Sequence, residues 1–207
     1  MKTKLIAASL VALMLFGCNS NKTETTTTAS SDGLFGKAAS VRAKFETDYE
    51  ALKEKAKTEV KSPEDLLKLK DEMTKLEESA KKDFSDAVAS MTFPIPVEFV
   101  DSTDGKNFKV LSVQITEMQW DMAKVAAKVQ MFIPAEKTAG GQVIAKYVYG
   151  LMVDKDNKPA AEGQKQSLTF SSIQDYAVND TVEFNNAITN YGELSGLAKF
   201  IIKDKAN

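Results

Sequence analysis

Cys18 is the one cysteine in the 207 residues, and histidine is absent. Serine–histidine triads, cysteine–histidine nucleophiles, haem ligation through histidine and the usual zinc sites therefore lie outside the chain's chemistry. Catalysis would have to run on carboxylates, lysine, serine or tyrosine. Three constellations have suitable residue types. Asp154, Asp156 and Asn157 begin like a calcium-binding loop, but the sixth position, which needs glycine, is Pro159, so a solvated hairpin turn is expected. Ser79 and Lys82 have the S-x-x-K spacing of a serine nucleophile with a lysine base. They fall on the charged face of a helix, with no S-D-N or K-T-G partner, and read as a chance match. Tyr176 and Tyr191 lie in polar, loop-like segments and are the candidates for contact with a sugar ligand. Trp120, Tyr147 and Tyr149 are alternative platforms, but the two tyrosines fall on the apolar side of a strand, where core packing is expected. No catalytic residue, metal ligand or cofactor is assigned, and the chain is not read as an enzyme.

The thiol has a different context. Lys2 and Lys4 precede an almost wholly apolar run, Leu5–Phe16, which ends in Leu15-Phe16-Gly17-Cys18. At 1.5 Å per residue the run is about 18 Å long, too short for a hydrocarbon core of about 30 Å. Charge, apolar length, small residue and cysteine follow one another as in the lipobox signal of bacterial lipoproteins, which residues 1–18 resemble. That resemblance implies cleavage between Gly17 and Cys18, a diacylglycerol thioether on Cys18 and acylation of its new amine, palmitate being one such chain. At about 0.8 kcal/mol per buried methylene, two or three chains hold a protein at a membrane essentially permanently. In the sorting rule of enteric bacteria an aspartate after the cysteine retains the protein at the inner membrane. Here the residue is Asn19, so a Gram-negative host would place the protein at the outer membrane.

Without residues 1–17 the chain keeps 25 of its 27 basic residues against 29 acidic ones, a formal charge of −4. That balance does not suggest a nucleic-acid partner. Residues 18–33 are small and polar and read as a tether that lifts a folded body off the lipid headgroups. Asp101-Ser102-Thr103 and Asp180-Thr181-Val182 are similar to the acceptor signal of a general O-glycosylation system of some Gram-negative bacteria, which makes Ser102 and Thr181 candidate modification sites.

Residues 34–92 carry helical periodicity. Val41, Phe45, Tyr49, Leu52, Ala56 and Val60 share one face of a helix from about Phe35 to Val60. Ser62 is a good N-cap, Pro63 suits the first helical position, and Glu64 and Asp65 meet the positive end of the dipole. The second stripe runs Leu66, Leu69, Met73, Leu76, Ala80, Phe84, Ala87 and Met91, ending before Pro94. The short link at Lys61–Ser62 makes the pair an antiparallel hairpin. Its stripe has two open uses: to cover the following domain, or to pair with a partner protein or another copy.

From residue 93 the period becomes two, with about seven strands near 96–101, 107–118, 122–133, 142–154, 165–171, 180–186 and 196–203. Leu111, Val113 and Ile115 read as one inward row, and Tyr147, Tyr149 and Leu151 as another. The stretch Tyr147–Pro159 resembles the strand and hairpin of immunoglobulin-like and fibronectin-like extracytoplasmic domains. The expected fold class is α+β: an antiparallel helical hairpin followed by an antiparallel β-sandwich, residues 93–207. The expected function is that of a cell-envelope lipoprotein with a non-catalytic binding, adhesion or scaffold role. A surface carbohydrate-binding lipoprotein is the alternative, and a histidine-free hydrolase working through carboxylates the second alternative.

Overall fold

The computed structural model describes residues 33–160, 167–194 and 196–205. Residues 1–32, with Gly17 and Cys18 and most of the segments expected as leader and tether, lie outside them.

The hairpin is formed by α1 (Gly36–Glu59) and α2 (Pro63–Ala89), about 36 and 40 Å long. The start of α2 is a reciprocal capping box. The Ser62 hydroxyl accepts from the Asp65 amide at 3.1 Å, and the Asp65 carboxylate accepts from the Ser62 amide at 3.1 Å. The Ser62 hydroxyl also donates to the Asp65 carboxylate at 2.9 Å, and this bond, followed by those from the Lys61 and Ser62 amides, holds the carboxyl below its ordinary range. Every position of the α2 stripe is buried or half-buried, while Leu67, one step off it, is 64% exposed. Glu77 and Lys81 pair at 2.7 Å on the solvated side.

After a cis Phe93–Pro94 peptide come seven strands: β1 (Ile95–Asp101), β2 (Phe108–Met118), β3 (Met122–Met131), β4 (Lys146–Val153), β5 (Ser167–Ser172), β6 (Thr181–Thr189) and β7 (Lys199–Lys203). They close into a barrel in the order β1-β2-β3-β6-β5-β4-β7. The sandwich expectation is thereby corrected, and with it the immunoglobulin-like one. One sheet curls until β7 meets β1, and that closing pair is parallel, Glu98 opposite Lys199 and Asp101 opposite Ile202. All other neighbours are antiparallel. Closure removes the free edges that an open sandwich would leave at β1 and β7.

Two inward rows also differ from expectation. In β2 the buried residues are Phe108, Val110, Val113, Ile115 and Met118. Register shifts between Val110 and Ser112 and between Ile115 and Glu117 add a residue each time, so Leu111 turns outward, 44% exposed. In β4 the inward row is Val148, Gly150 and Met152, which leaves Tyr147 outside, 47% exposed. Gly150 decides that phase. A Cβ there would lie 2.9 Å from both the Phe170 and Phe200 rings, which meet edge-on at 5.9 Å across the space it leaves.

The barrel core is continuous with the base of the hairpin. Phe35, Ala38, Ala39, Phe84 and Ala87 join the cluster formed by the inward strand residues, whereas Leu69 and Ala80 are buried between the helices outside it. The hairpin thus stands on one end of the barrel and caps it, rather than covering a face.

Candidate functional site

The densest chemistry among the described residues lies at that joint. Phe35, Ala38, Ala39 and Arg42 recur at intervals of three and four, so one face of α1's first turns meets the barrel end. Arg42 is the only arginine in the chain and Trp120 the only tryptophan. They meet here. Arg42 is 8% exposed; its Nη1 donates to the Trp120 carbonyl at 2.7 Å and its Nη2 to Asn190 Oδ1 at 3.1 Å. Its Nε faces Glu46 at 3.4 Å, and its guanidinium sits 5.4 Å from the centre of the Tyr191 ring.

Rings continue outward from that contact. Tyr191 lies against Phe35 at 5.0 Å and Phe84 at 6.3 Å, and Trp120 meets both Phe84 and Phe45 edge-on. Asn190, with φ 54, takes the left-handed conformation that asparagine tolerates and turns the chain from β6 into the 3-10 turn Tyr191–Leu194. The Tyr191 hydroxyl donates to the Gln119 carbonyl at 3.0 Å, and burial pushes its phenol well above the ordinary range. No buried side-chain nitrogen or oxygen among the described residues lacks a partner. Such an arrangement positions the hairpin on the barrel; its donors are consumed rather than presented.

The tyrosine shelf expected from sequence does not form. Tyr191 is fully buried at the joint and Tyr176 is 8% exposed. They lie at opposite ends of the barrel, so neither offers a face to a sugar. Tyr176 closes the far end, where its carbonyl accepts from Ala135 at 3.1 Å, and burial together with Glu136 raises its phenol. The apolar ring outweighs a polar local sequence in both cases. Ser102 and Thr181 are both exposed, at that same far end.

Asp154 caps its own turn: its carboxylate accepts from the amides of Asp156 and Lys158, each at 2.8 Å. Ser79 and Lys82 face solvent on α2. Among the described residues no three acidic or cysteine side chains converge as metal ligands, and no helix is long and apolar enough to cross a membrane.

Two hollows are shallow. One, of about 190 Å³, lies at the hairpin tip, where Lys55 and Glu72 pair at 2.6 Å and raise the lysine's affinity for its proton. The other, of about 210 Å³, opens where β5 and β6 part; they pair at Ser171 and Asn185, beyond which Met152, Leu168, Ile188 and Leu194 line the gap. Asn186 bridges this seam, its amide donating to the Thr169 carbonyl and its Oδ1 accepting from the Ala187 amide at 2.6 Å.

Sequence reasoning passed over Arg42. The available signal was a lone arginine among 27 basic residues, set in register with Phe35, Ala38 and Phe45 on an otherwise apolar face. Comparison with protein-family models finds none that matches the chain, and comparison with curated proteins finds no match either.

Proposed function

We propose that this chain is a lipid-anchored protein of the bacterial cell envelope with a non-catalytic binding or scaffold role. The barrel is its body and the helical hairpin the arm that meets a protein partner or a second copy. The observation that carries this reading is the rooted hairpin. Its base is fixed by Arg42, Tyr191 and Phe84, while some 20 to 30 Å of paired helix beyond it packs only on itself. An arm built that way presents two solvated faces at a set angle, which suits holding partners more than turning over a substrate. The order of residues in positions 1–18 supports the anchor, and Asn19 supports outer-membrane sorting in a Gram-negative host.

Two measurements test the reading. Radiolabelled palmitate should mark the wild-type chain and not Cys18→Ser; label on that variant excludes the thioether anchor. A photo-crosslinking residue at the exposed Leu67 should trap one discrete partner or a dimer in intact cells, while the same group at Lys128 on the barrel wall should not. Equal trapping at the two positions would remove the hairpin's special role.

A further inference from the structure

The barrel's outer surface is divided. On the wall made by β3 and β6 the outward residues include Lys124, Lys128, Glu183 and Asn185, with Lys128 directly opposite Glu183. The wall made by β4, β7, β1 and β2 is different. Leu151 on β4 stands opposite Ile201 on β7, which stands opposite Val100 on β1, and Leu111 follows on β2. Tyr147 extends the row along β4. Val100, Leu111 and Tyr147 are 42%, 44% and 47% exposed. Lys199 and Lys203 flank Ile201 on its strand, and the Lys199 Nζ lies 3.9 Å from the exposed Glu98 of β1.

The geometry points to this wall lying against the lipid surface that carries the Cys18 anchor, an inference that rests on the anchored reading above. The covalent chain argues for lipid over other occupants. The described chain begins at Gly33, and the Leu34 amide contacts the Leu197 carbonyl at 3.5 Å, two residues before β7, the central strand of the apolar wall. The chain from Cys18 to Gly33 spans at most about 50 Å in any conformation. The acyl chains are thus held within that distance of the wall, and tethering replaces a bimolecular encounter by a local concentration in the millimolar range. Under those conditions a few apolar side chains and a tyrosine at headgroup depth suffice to orient the barrel. The hairpin, rising from the barrel end, would then run beside the membrane rather than away from it.

The test uses the full-length lipidated chain in vesicles of phosphatidylethanolamine and phosphatidylglycerol. With Cys18 held in its thioether, a cysteine introduced by Val100→Cys or Leu111→Cys is the one free thiol and takes an environment-sensitive fluorophore. Lys128→Cys and Glu183→Cys report the opposite wall. All four positions are exposed, so the labels leave the core intact. The expected result is a blue shift and quenching by doxyl-labelled lipids at Val100 and Leu111, absent at Lys128 and Glu183. Protein that floats with the vesicles but shows the four labels alike overturns the docking and leaves the anchor standing. Protein that neither floats nor carries the diacylglycerol mass overturns both. A concentration-dependent shift at Val100 in the unlipidated Cys18→Ser chain, in detergent-free buffer, would assign the wall to a second copy and overturn the lipid contact.

Discussion

Replacing Arg42 should loosen the hairpin from the barrel, and the cost can be worked from its contacts. The Nη1 bond to the Trp120 carbonyl at 2.7 Å is charge-assisted and largely dry, which puts it at about 1.5–3 kcal/mol. The bond to Asn190 adds a second, longer one. The Tyr191 ring contributes about 0.5–2 kcal/mol at this burial. Glu46, whose side chain is 44% exposed, adds at most a few tenths of a kcal/mol. These terms overlap, because one guanidinium makes them all. Arg42→Ala should therefore cost about 3–4 kcal/mol, part of it from the orphaned Trp120 carbonyl. Arg42→Lys keeps the charge but offers a point donor in place of a planar fork, so it should lose about half as much. Against a total of about 5–15 kcal/mol either change is large. Denaturant unfolding followed by Trp120 fluorescence and by far-ultraviolet circular dichroism reads both the cost and its place, since the only tryptophan sits in the joint. Its native emission should shift to the red in Arg42→Ala, and Lys44→Ala, on the exposed side of α1, should change neither signal. Loss below about 1 kcal/mol with unaltered emission would refute the reasoning, and would assign the joint to ring packing alone.

Gly150→Ala should destabilise the barrel by about 1–2 kcal/mol, because the new methyl meets two pinned rings at 2.9 Å; Phe170→Leu should recover part of that loss in a thermal melt, and simple additivity would argue against the clash. Tyr191 keeps its proton in the folded chain to a higher pH than an unfolded tyrosine does. Its contribution is therefore full below about pH 10 and is lost as pH rises further. Absorbance at 295 nm should show a late step that coincides with alkaline unfolding and is missing in Tyr191→Phe; ionisation of all five tyrosines while the fold persists would contradict its burial. Leu76→Asp, in the half-buried middle of the α2 stripe, should cost about 2–4 kcal/mol in urea unfolding, whereas Lys75→Asp on the solvated side should stay within about 0.5 kcal/mol. Equal effects at the two positions would mean the stripe is not the packed face.

The helices were legible because their signals are local. A stripe at intervals of three and four, a capping serine and a proline at the first turn all act within a few residues, and each has its counterpart in α2. The strands were legible in number and place, since turns and period two are also local. Their inward faces were less so. In β4 both rows are apolar, Tyr147-Tyr149-Leu151 and Val148-Gly150-Met152, and the choice falls to Phe170 on the next strand and Phe200 on the last. In β2 two bulges shift the phase, and a period-two reading that starts from Leu111 picks the outer residue. Barrel and sandwich share one alternating pattern; what separates them is the β1–β7 pairing, which leaves no mark on either segment. The tyrosines misled for a related reason: a polar neighbourhood in sequence says little about a ring that a distant helix covers, as Phe35 and Phe84 cover Tyr191.

The parallel seam between β1 and β7 sets an order of events. Its partners, such as Asp101 and Ile202, are about a hundred residues apart, and joining such a span costs roughly 4 kcal/mol of chain entropy before any contact forms. The hairpin and six strands can be complete while β1 and β4 still have unsatisfied backbone on the sides that β7 will fill. A chain emerging N-terminus first from the ribosome passes through that stage, bearing two open edges that invite pairing with a neighbouring chain. Only the last of the seven strands to arrive removes both edges at once. The interval before it docks is when the nascent protein is most exposed to misassembly, and when a holding chaperone would have most to protect.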